Sequence, residues 1–533
     1  MSISLLDVSA VTAAVVCFGL LRSWRKRRDR TRLPPGPRRL PLIGNALDMP
    51  PKEEWEAARK WGEKYGPVVY VEVFGLPYIF LNSYQAAVDL LEKRGSNYSS
   101  RPTTVMFELR VSHDDRILRS LMLNLAPLSS EGWTDWFPAV LPYGDELKRS
   151  RQMLHQFLQP SAVADYAELQ TQATYRMLEG LLRSPDKYPE LVRHSAAEII
   201  MMMTYGHKVS QKNDPFVELG EKGMEAFAEA EGFFLVNAIP WLRHLPSWFP
   251  GMDFQKIAKD GYQHSMAMYK KPHEMTKKKL KEGTAVPSMV SKLMEANMGA
   301  NGVVKDEPLI AKTAGVTYGG GADTTVSAML TFLLAMVLYP DVQKRAQEEL
   351  DRVVGKNNLP SLDDLPNLPY VEAICKECLR WQAVGPFGVA HMATEEDEYN
   401  GYYIPAGVTV LSNIWAMCRD PNEYENPDEF IPERWLPVAG KQPPLDIRKV
   451  AFGFGRRICP GRHFADNSVF IGVASVLSAF HITKALDQNG RPITPEIDYT
   501  PHFIRHSKPF KYAVAPRSEE IVKAIHQAVE SAK

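Results

Sequence analysis

Apolar positions along the chain fall into three regimes. From Ile3 to Leu21 almost every residue is apolar (ISLLDVSAVTAAVVCFGLL), and Asp7 is the one charge. Such a run is long enough to cross about 30 Å of hydrocarbon as a helix, which predicts one N-terminal transmembrane helix within residues 1–21. From Tyr65 to Leu81, β-branched and aromatic residues surround a central Gly-Leu-Pro, the pattern of a β-hairpin. Beyond residue 145 the apolar spacing turns helical over 151–182, 190–206, 216–235, 252–282, 286–297, 306–338 and 341–353. Strand-like pieces return within 387–412, including Gly401-Tyr402-Tyr403-Ile404 and Val408–Leu411. A Pro-rich irregular stretch covers 420–447. A last helix is predicted over 460–481 and a pair of strands near 500–515. No fixed-period repeat occurs. The predicted class is mainly α with a smaller β portion.

Charge fixes the topology. Arg22, Arg25, Lys26, Arg27, Arg28, Arg30 and Arg32 follow the apolar run as a cationic collar. A cleaved signal peptide carries its positive charges before the apolar stretch, so the run predicts an anchor. By the positive-inside rule the collar and all that follows stay cytosolic. Leu33-Pro34-Pro35-Gly36-Pro37 is a stiff extended hinge. The predicted division is anchor 1–21, collar and hinge 22–37, and catalytic domain 38–533. The length of 533 residues would allow several domains, yet no flexible linker divides the body. Lys+Arg and Asp+Glu number 63 each, so no net charge draws the chain to nucleic acid. Five cysteines in 533 residues argue against a disulfide framework and for a reducing compartment. In that setting the sequon Asn97-Tyr98-Ser99 stays unmodified. The greasy, Pro-broken segment 232–252 is read as core or as a loop dipping into the bilayer.

The densest chemistry lies in Phe452-Gly453-Phe454-Gly455-Arg456-Arg457-Ile458-Cys459-Pro460-Gly461. The glycines permit a tight loop. Pro460 predicts a helix starting just after Cys459, whose dipole would favour a thiolate. Arg457 suits an anionic cofactor group. A cysteinate-ligated haem needs such a loop. Upstream, Glu377 and Arg380 share a helix face at i,i+3. Gly319–Gly321 each cost a helix about 1 kcal/mol, which predicts a locally opened helix over a cofactor, and Asp323-Thr324 follows directly. Cys375 and Cys378 form a CxxC without the βαβ context of a thiol oxidoreductase. No CxxCH occurs, which excludes a c-type haem.

Phe452, Gly455, Arg457, Cys459 and Gly461 resemble the signature loop of the cytochrome P-450 superfamily, and the other motifs agree with it in order and spacing. The resemblance implies the cytochrome P-450 fold, with haem b held by Cys459 as axial ligand to the iron. Glu377, Arg380 and Arg434 (of Pro-Glu-Arg-Trp) would form a buried structural triad. Thr324 would handle dioxygen and Asp323 would relay protons. Arg457, His391 and Arg151 would clamp the propionates, with Lys148 a weaker candidate. Two departures stand out: Leu147 occupies the position of a usual Trp, and residues 110–131 read as an insertion. Implied partners are NADPH–cytochrome P-450 reductase, possible cytochrome b5, membrane lipid and a small lipophilic substrate. The implied setting is the endoplasmic reticulum membrane. Several stretches resemble fungal secondary-metabolism members. They point first to a terpenoid substrate and second to an aromatic polyketide or indole, with Phe107, Thr317, Val384, Phe387 and Phe503 facing it. A haem-binding homologue without turnover is the competing reading: Leu147 and the insertion favour it and Asp323-Thr324 opposes it.

Overall fold

The computed structural model describes residues 32–108, 137–230 and 235–531. The anchor, most of the collar, the whole insertion and the Phe107 side chain lie outside the described residues. Helices of eight or more residues are numbered in chain order below.

The β portion forms first. Helix α1 (Glu54–Tyr65) leads into β1 (Val68–Val73) and β2 (Leu76–Leu81), an antiparallel hairpin that pairs Val68 with Leu81. Its β-branched and aromatic side chains are buried against Trp55 and Ala58 of α1. Then follow α2 (Asp145–Leu158), α3 (Ala167–Arg183), α4 (Tyr188–Tyr205), α5 (Pro215–Ala230), α6 (Phe254–Lys281), α7 (Met289–Ala296), α8 (Glu307–Leu338), α9 (Pro340–Leu350) and α10 (Pro369–Trp381). Four short strands come next: β3 (His391–Met392), β4 (Asp397–Tyr399), β5 (Tyr402–Ile404) and β6 (Thr409–Ser412). The first sheet runs in the order β1-β2-β6-β3, with β6 parallel to β2, while β4 and β5 pair separately. Helix α11 (Arg462–Ala479), strands β7 (Phe480–Lys484) and β8 (Tyr512–Pro516), and α12 (Glu519–Glu530) close the chain.

Helix α8 is the axis of the molecule. It is apolar all round, as a helix buried on every side must be, and it packs against α2, α4, α5, α6, α7, α10 and α11. Among the described residues it is the one helix long and apolar enough to cross a membrane, yet 67% of its apolar window is buried within the protein. It is a core helix.

Five expectations change. The predicted helix 151–182 is two helices, because Pro160 cannot continue α2. The predicted helix 460–481 starts at Arg462 and gives way to β7 at Phe480. The strand pair expected within 500–515 is instead β7 with β8, joined at Ile482–Val514. The helix through Gly319–Gly321 is unbroken. Helices α1 and α12 were not predicted. Segment 235–252 divides: Val236 and Met252 are buried, whereas Trp241, Trp248 and Phe249 are exposed by 60%, 80% and 44%.

Candidate active site

The loop before α11 is shaped by two glycines with positive φ, Gly453 and Gly455 (+74° and +56°). A Cβ on Gly455 would sit 2.1 Å from the Leu91 carbonyl oxygen, so only glycine lets the loop press against the segment carrying Leu91. The backbone N–H of Cys459 donates to the Phe452 carbonyl at 2.8 Å and closes the loop. Burial pushes the Cys459 thiol up; the Gly461 N–H aimed at the sulfur and the cations Arg151 and Arg462 pull it down. Because α11 begins three residues after Cys459, single N–H groups and nearby arginines replace the expected helix terminus.

Cys459 lines a cavity of about 380 Å³ shared with Phe452, Gly461, Arg151, Arg457, His391, Gly320, Gly321 and Thr324. Gly455 is not on its wall and acts by shaping the loop. Three basic groups from distant parts of the chain line it. Arg457 donates to the carbonyls of Ser99 (2.7 Å) and Leu141 (2.5 Å). Arg151 donates to the Ile458 carbonyl at 2.9 Å. His391 Nδ1 lies 2.7 Å from the Tyr98 carbonyl. Burial, then the neighbouring Arg151, pushes Arg457 down to about 9. Burial, with Arg101 and Arg457 nearby, holds His391 well below its ordinary value. Among the described residues no carboxylate pairs with Arg457 or Arg151. Enclosed, unneutralised cations beside a cysteine sulfur fit a group with anionic arms and a metal that accepts sulfur.

Arg101 was missed by sequence reasoning. It is 5% exposed, lines the same cavity, and donates to the carbonyls of Ala139, Val389 and Ala390. A lone Arg-Pro pair in the sequence carries no signal of this. Lys148 is corrected: it points outward, 3.3 Å from Asp145, and does not line the cavity. Leu147 is buried and does line it, so an apolar side chain fills the place of the usual Trp.

Glu377, Arg380 and Arg434 come together as expected. Both Glu377 oxygens accept from Arg380 (2.9 and 2.8 Å), and Oε1 also accepts from Arg434 Nε at 3.2 Å. Trp435 Nε1 adds a fourth member, donating to Oε2 at 3.0 Å. Arg380 further donates to the carbonyls of Cys418, Pro427 and Glu429, which ties α10 to the stretch that follows β6. Burial pushes the Cys375 and Cys378 thiols up, so neither is poised for redox chemistry.

Two of the three glycines of α8 serve packing, and the third borders the cavity. A Cβ on Gly319 would meet Met224 Sδ at 2.8 Å, one on Gly321 would meet Ile200 Cδ1 at 2.6 Å, and one on Gly320 would meet open space in the cavity. Thr324 faces the cavity and donates to the Gly320 carbonyl at 2.8 Å. Asp323 leaves the helix in another direction and is not on the cavity wall. Thr317, Val384, Phe387 and Phe503 all line the cavity, with Phe137, Leu154, Ile200, Met224 and Phe227.

The family model for cytochrome P450 matches residues 34–120 and 129–514, leaving only 121–128 of the suspected insertion unmatched. Cytochrome P450 monooxygenase claR of Ampulloclitocybe clavipes is 38% identical over 98% of this chain and 94% of its own length. Cytochrome P450 monooxygenase ppsD of Aspergillus oryzae is 39% identical over 97% and 95%. Tryptamine 4-monooxygenase of Psilocybe cyanescens is 37% identical over 97% and 99%. The chain belongs to the cytochrome P450 family, and it is a monooxygenase that uses haem b, dioxygen and electrons delivered from NADPH by a separate reductase.

Proposed function

We propose that the chain oxygenates a neutral lipophilic natural-product intermediate, a terpenoid first, with Cys459 holding the haem iron and Arg457, Arg151 and His391 holding the propionates. The haem supplies the redox chemistry when bound. The protein's own residues set its surroundings: Thr324 offers a hydroxyl to the cavity, Asp323 behind it supplies protons, and the Glu377–Arg380–Arg434 cluster keeps the thiolate loop in place. The observation that carries this reading is the single cavity in which the Cys459 sulfur, three basic groups and Thr324 meet.

The cavity wall supports the substrate class. Away from the cysteine loop and its basic groups, Phe137, Leu154, Leu158, Ile200, Met224, Phe227, Val384, Phe387 and Phe503 give the wall a large apolar face. Its one carboxylate, Asp466, is 3.1 Å from Arg448. Burial raises Asp466 to about 6. A cationic amine would find no free counter-charge there. Phe137, Phe227, Phe387 and Phe503 also suit a flat aromatic skeleton, so an aromatic polyketide or indole is the second reading. Residues 1–21 serve as a single-pass anchor in the endoplasmic reticulum membrane, with the body cytosolic and cytochrome b5 a further electron donor. The exposed Trp241, Trp248 and Phe249 suit contact with the same lipid surface.

The test is the reduced carbon-monoxide difference spectrum of the full chain in microsomes, followed by product screening with terpenoid intermediates in the presence of reductase. A strongly red-shifted thiolate band that Cys459→Ala abolishes is expected. A band without NADPH consumption would identify a homologue that binds haem and does not turn over.

A further inference from the structure

Asp323 and Thr324 are adjacent on α8, but their side chains face different surroundings. Thr324 lines the cavity and Asp323 does not. Asp323 Oδ1 lies 3.0 Å from His506 Nε2 and 3.9 Å from Arg193 Nη1 of α4. His506 comes from the loop between β7 and β8. The Asp323 and His506 side chains are 22% and 15% exposed, and Arg193 is 39% exposed. The contact therefore joins a half-open cation at the surface to a partly buried carboxylate on the core helix.

The loop fixes where the imidazole sits. Thr500 N–H donates to the His506 carbonyl at 2.8 Å, and His506 N–H donates to Thr500 Oγ1 at 3.0 Å. Ser327, one turn beyond Asp323, donates to the Arg505 carbonyl and pins the loop to α8. Arg505 itself turns away, donating to Gln382 at 3.0 Å and lying over the rings of Trp55, Trp415 and Tyr499. The charged group in contact with His506 is thus Asp323 of α8, and Arg193 of α4 approaches the same carboxylate. His506 Nε2 is buried and makes no well-aligned hydrogen bond in this rotamer. The Asp323 carboxylate lies within hydrogen-bond distance of it, off the donor axis.

We propose that His506 is the positioning residue for Asp323: it holds the carboxylate on the outer side of α8 while passing a proton to it, and the acid so formed swings towards Thr324 and gives that proton up at the cavity. The imidazolium gives its Nε2 proton to Asp323 Oδ1, which leaves a neutral imidazole and a carboxylic acid. Hydronium from bulk solvent, reaching the ring at the partly open edge, reprotonates the imidazole and leaves water. Imidazole is the side chain suited to this exchange at physiological pH. The inference rests on Asp323 acting as the proton-supplying acid.

The test uses the full-length holoenzyme with its reductase and no added substrate. Dioxygen then takes two electrons from one NADPH to give peroxide, or four from two NADPH to give two waters, and the second course needs more protons. The NADPH, O₂ and peroxide stoichiometry is followed against pH in H₂O and D₂O. His506→Phe is expected to keep the thiolate carbon-monoxide band while slowing water formation about a hundredfold, the lower end of the effect of losing an oriented proton donor. The solvent isotope effect should rise. His506→Gln keeps a neutral hydrogen bond and should flatten the pH dependence. An intact band with unchanged partition and pH profile in His506→Phe would overturn the proposal. Should that variant lose the band, an unaltered pH profile in His506→Gln overturns it equally. Asp323→Asn separates the two ideas: if it leaves the partition unchanged, the acid role of Asp323 fails and takes this inference with it.

Discussion

At the scale of single residues, the loop glycines separate conformation from space. Gly453 and Gly455 both have positive φ, but a Cβ on Gly453 meets nothing within 4 Å while one on Gly455 runs into the Leu91 carbonyl. Gly453→Ala should cost only the left-handed backbone penalty, about 1–2 kcal/mol, and retain the thiolate band. Gly455→Ala should open the loop and lose most of it, and parallel carbon-monoxide spectra would show this. The buried triad makes a second prediction. Glu377 is fully buried and neutralises Arg380 and Arg434. Glu377→Gln leaves two guanidinium groups facing a neutral amide, so stability should fall by roughly 3–5 kcal/mol, read as an earlier thermal loss of the haem band. The geometry of the cysteine loop and of this triad was legible in the sequence because each depends on residue types with few substitutes: a glycine at positive φ and a planar fork on a carboxylate. Arg101, Trp435 and His506 were not legible. Their roles come from contacts between segments far apart in the chain, and nothing in their immediate sequence announces them.

At the scale of elements, the glycine run in α8 shows how a correct signal can carry a wrong cause. The helical penalty is real, but α8 does not open. Neighbouring helices fill two of the three vacancies and the cavity fills the third. The positions therefore predict different outcomes. Gly320→Ala adds a methyl to open space and should stabilise α8 by about 0.8–1 kcal/mol, while narrowing the cavity enough to change which ligands perturb the haem spectrum. Gly321→Ala pushes against Ile200 Cδ1 on α4 and should destabilise by about 1–3 kcal/mol. Gly319→Ala meets the flexible end of Met224 and should fall between them. Thermal unfolding of the three variants orders them. The hairpin and the long helices were legible because their periodicity is sustained over many residues. Helix ends were less so, since Pro160 and the start at Arg462 depend on local geometry. The β7–β8 pairing joins residues 480–484 to 512–516 across a long loop, and no local pattern specifies such a partner.

At the scale of the whole molecule, ionic contacts join segments that the chain places hundreds of residues apart, and they make stability depend on acid. Asp397 on β4 accepts from Arg94 at 2.8 Å through both oxygens and from the Tyr98 hydroxyl at 2.9 Å. Burial alone would raise its pKa, but the bonds from Arg94, Tyr98 and the Glu398 N–H outweigh it and hold the carboxyl below its ordinary 3.8. Asp214 is lowered in the same way by the Ser210 N–H and then His207, Glu307 by Lys277, and Glu372 by Arg448. A carboxyl depressed in the folded protein binds its proton more readily once unfolded. Its contribution is therefore complete above the ordinary carboxylate value and disappears as pH falls through the folded value. Asp397→Asn should be less stable than the parent at neutral pH, by no more than about 1 kcal/mol because Arg94 remains partly in water. That difference should shrink steadily as pH falls below about 4 and vanish once both states are protonated. Thermal midpoints of the two proteins across this range provide the measurement. A gap that stayed constant with pH would mean that Asp397 acts through shape, and that its charge contributes nothing to holding β4 against the segment that carries Arg94 and Tyr98.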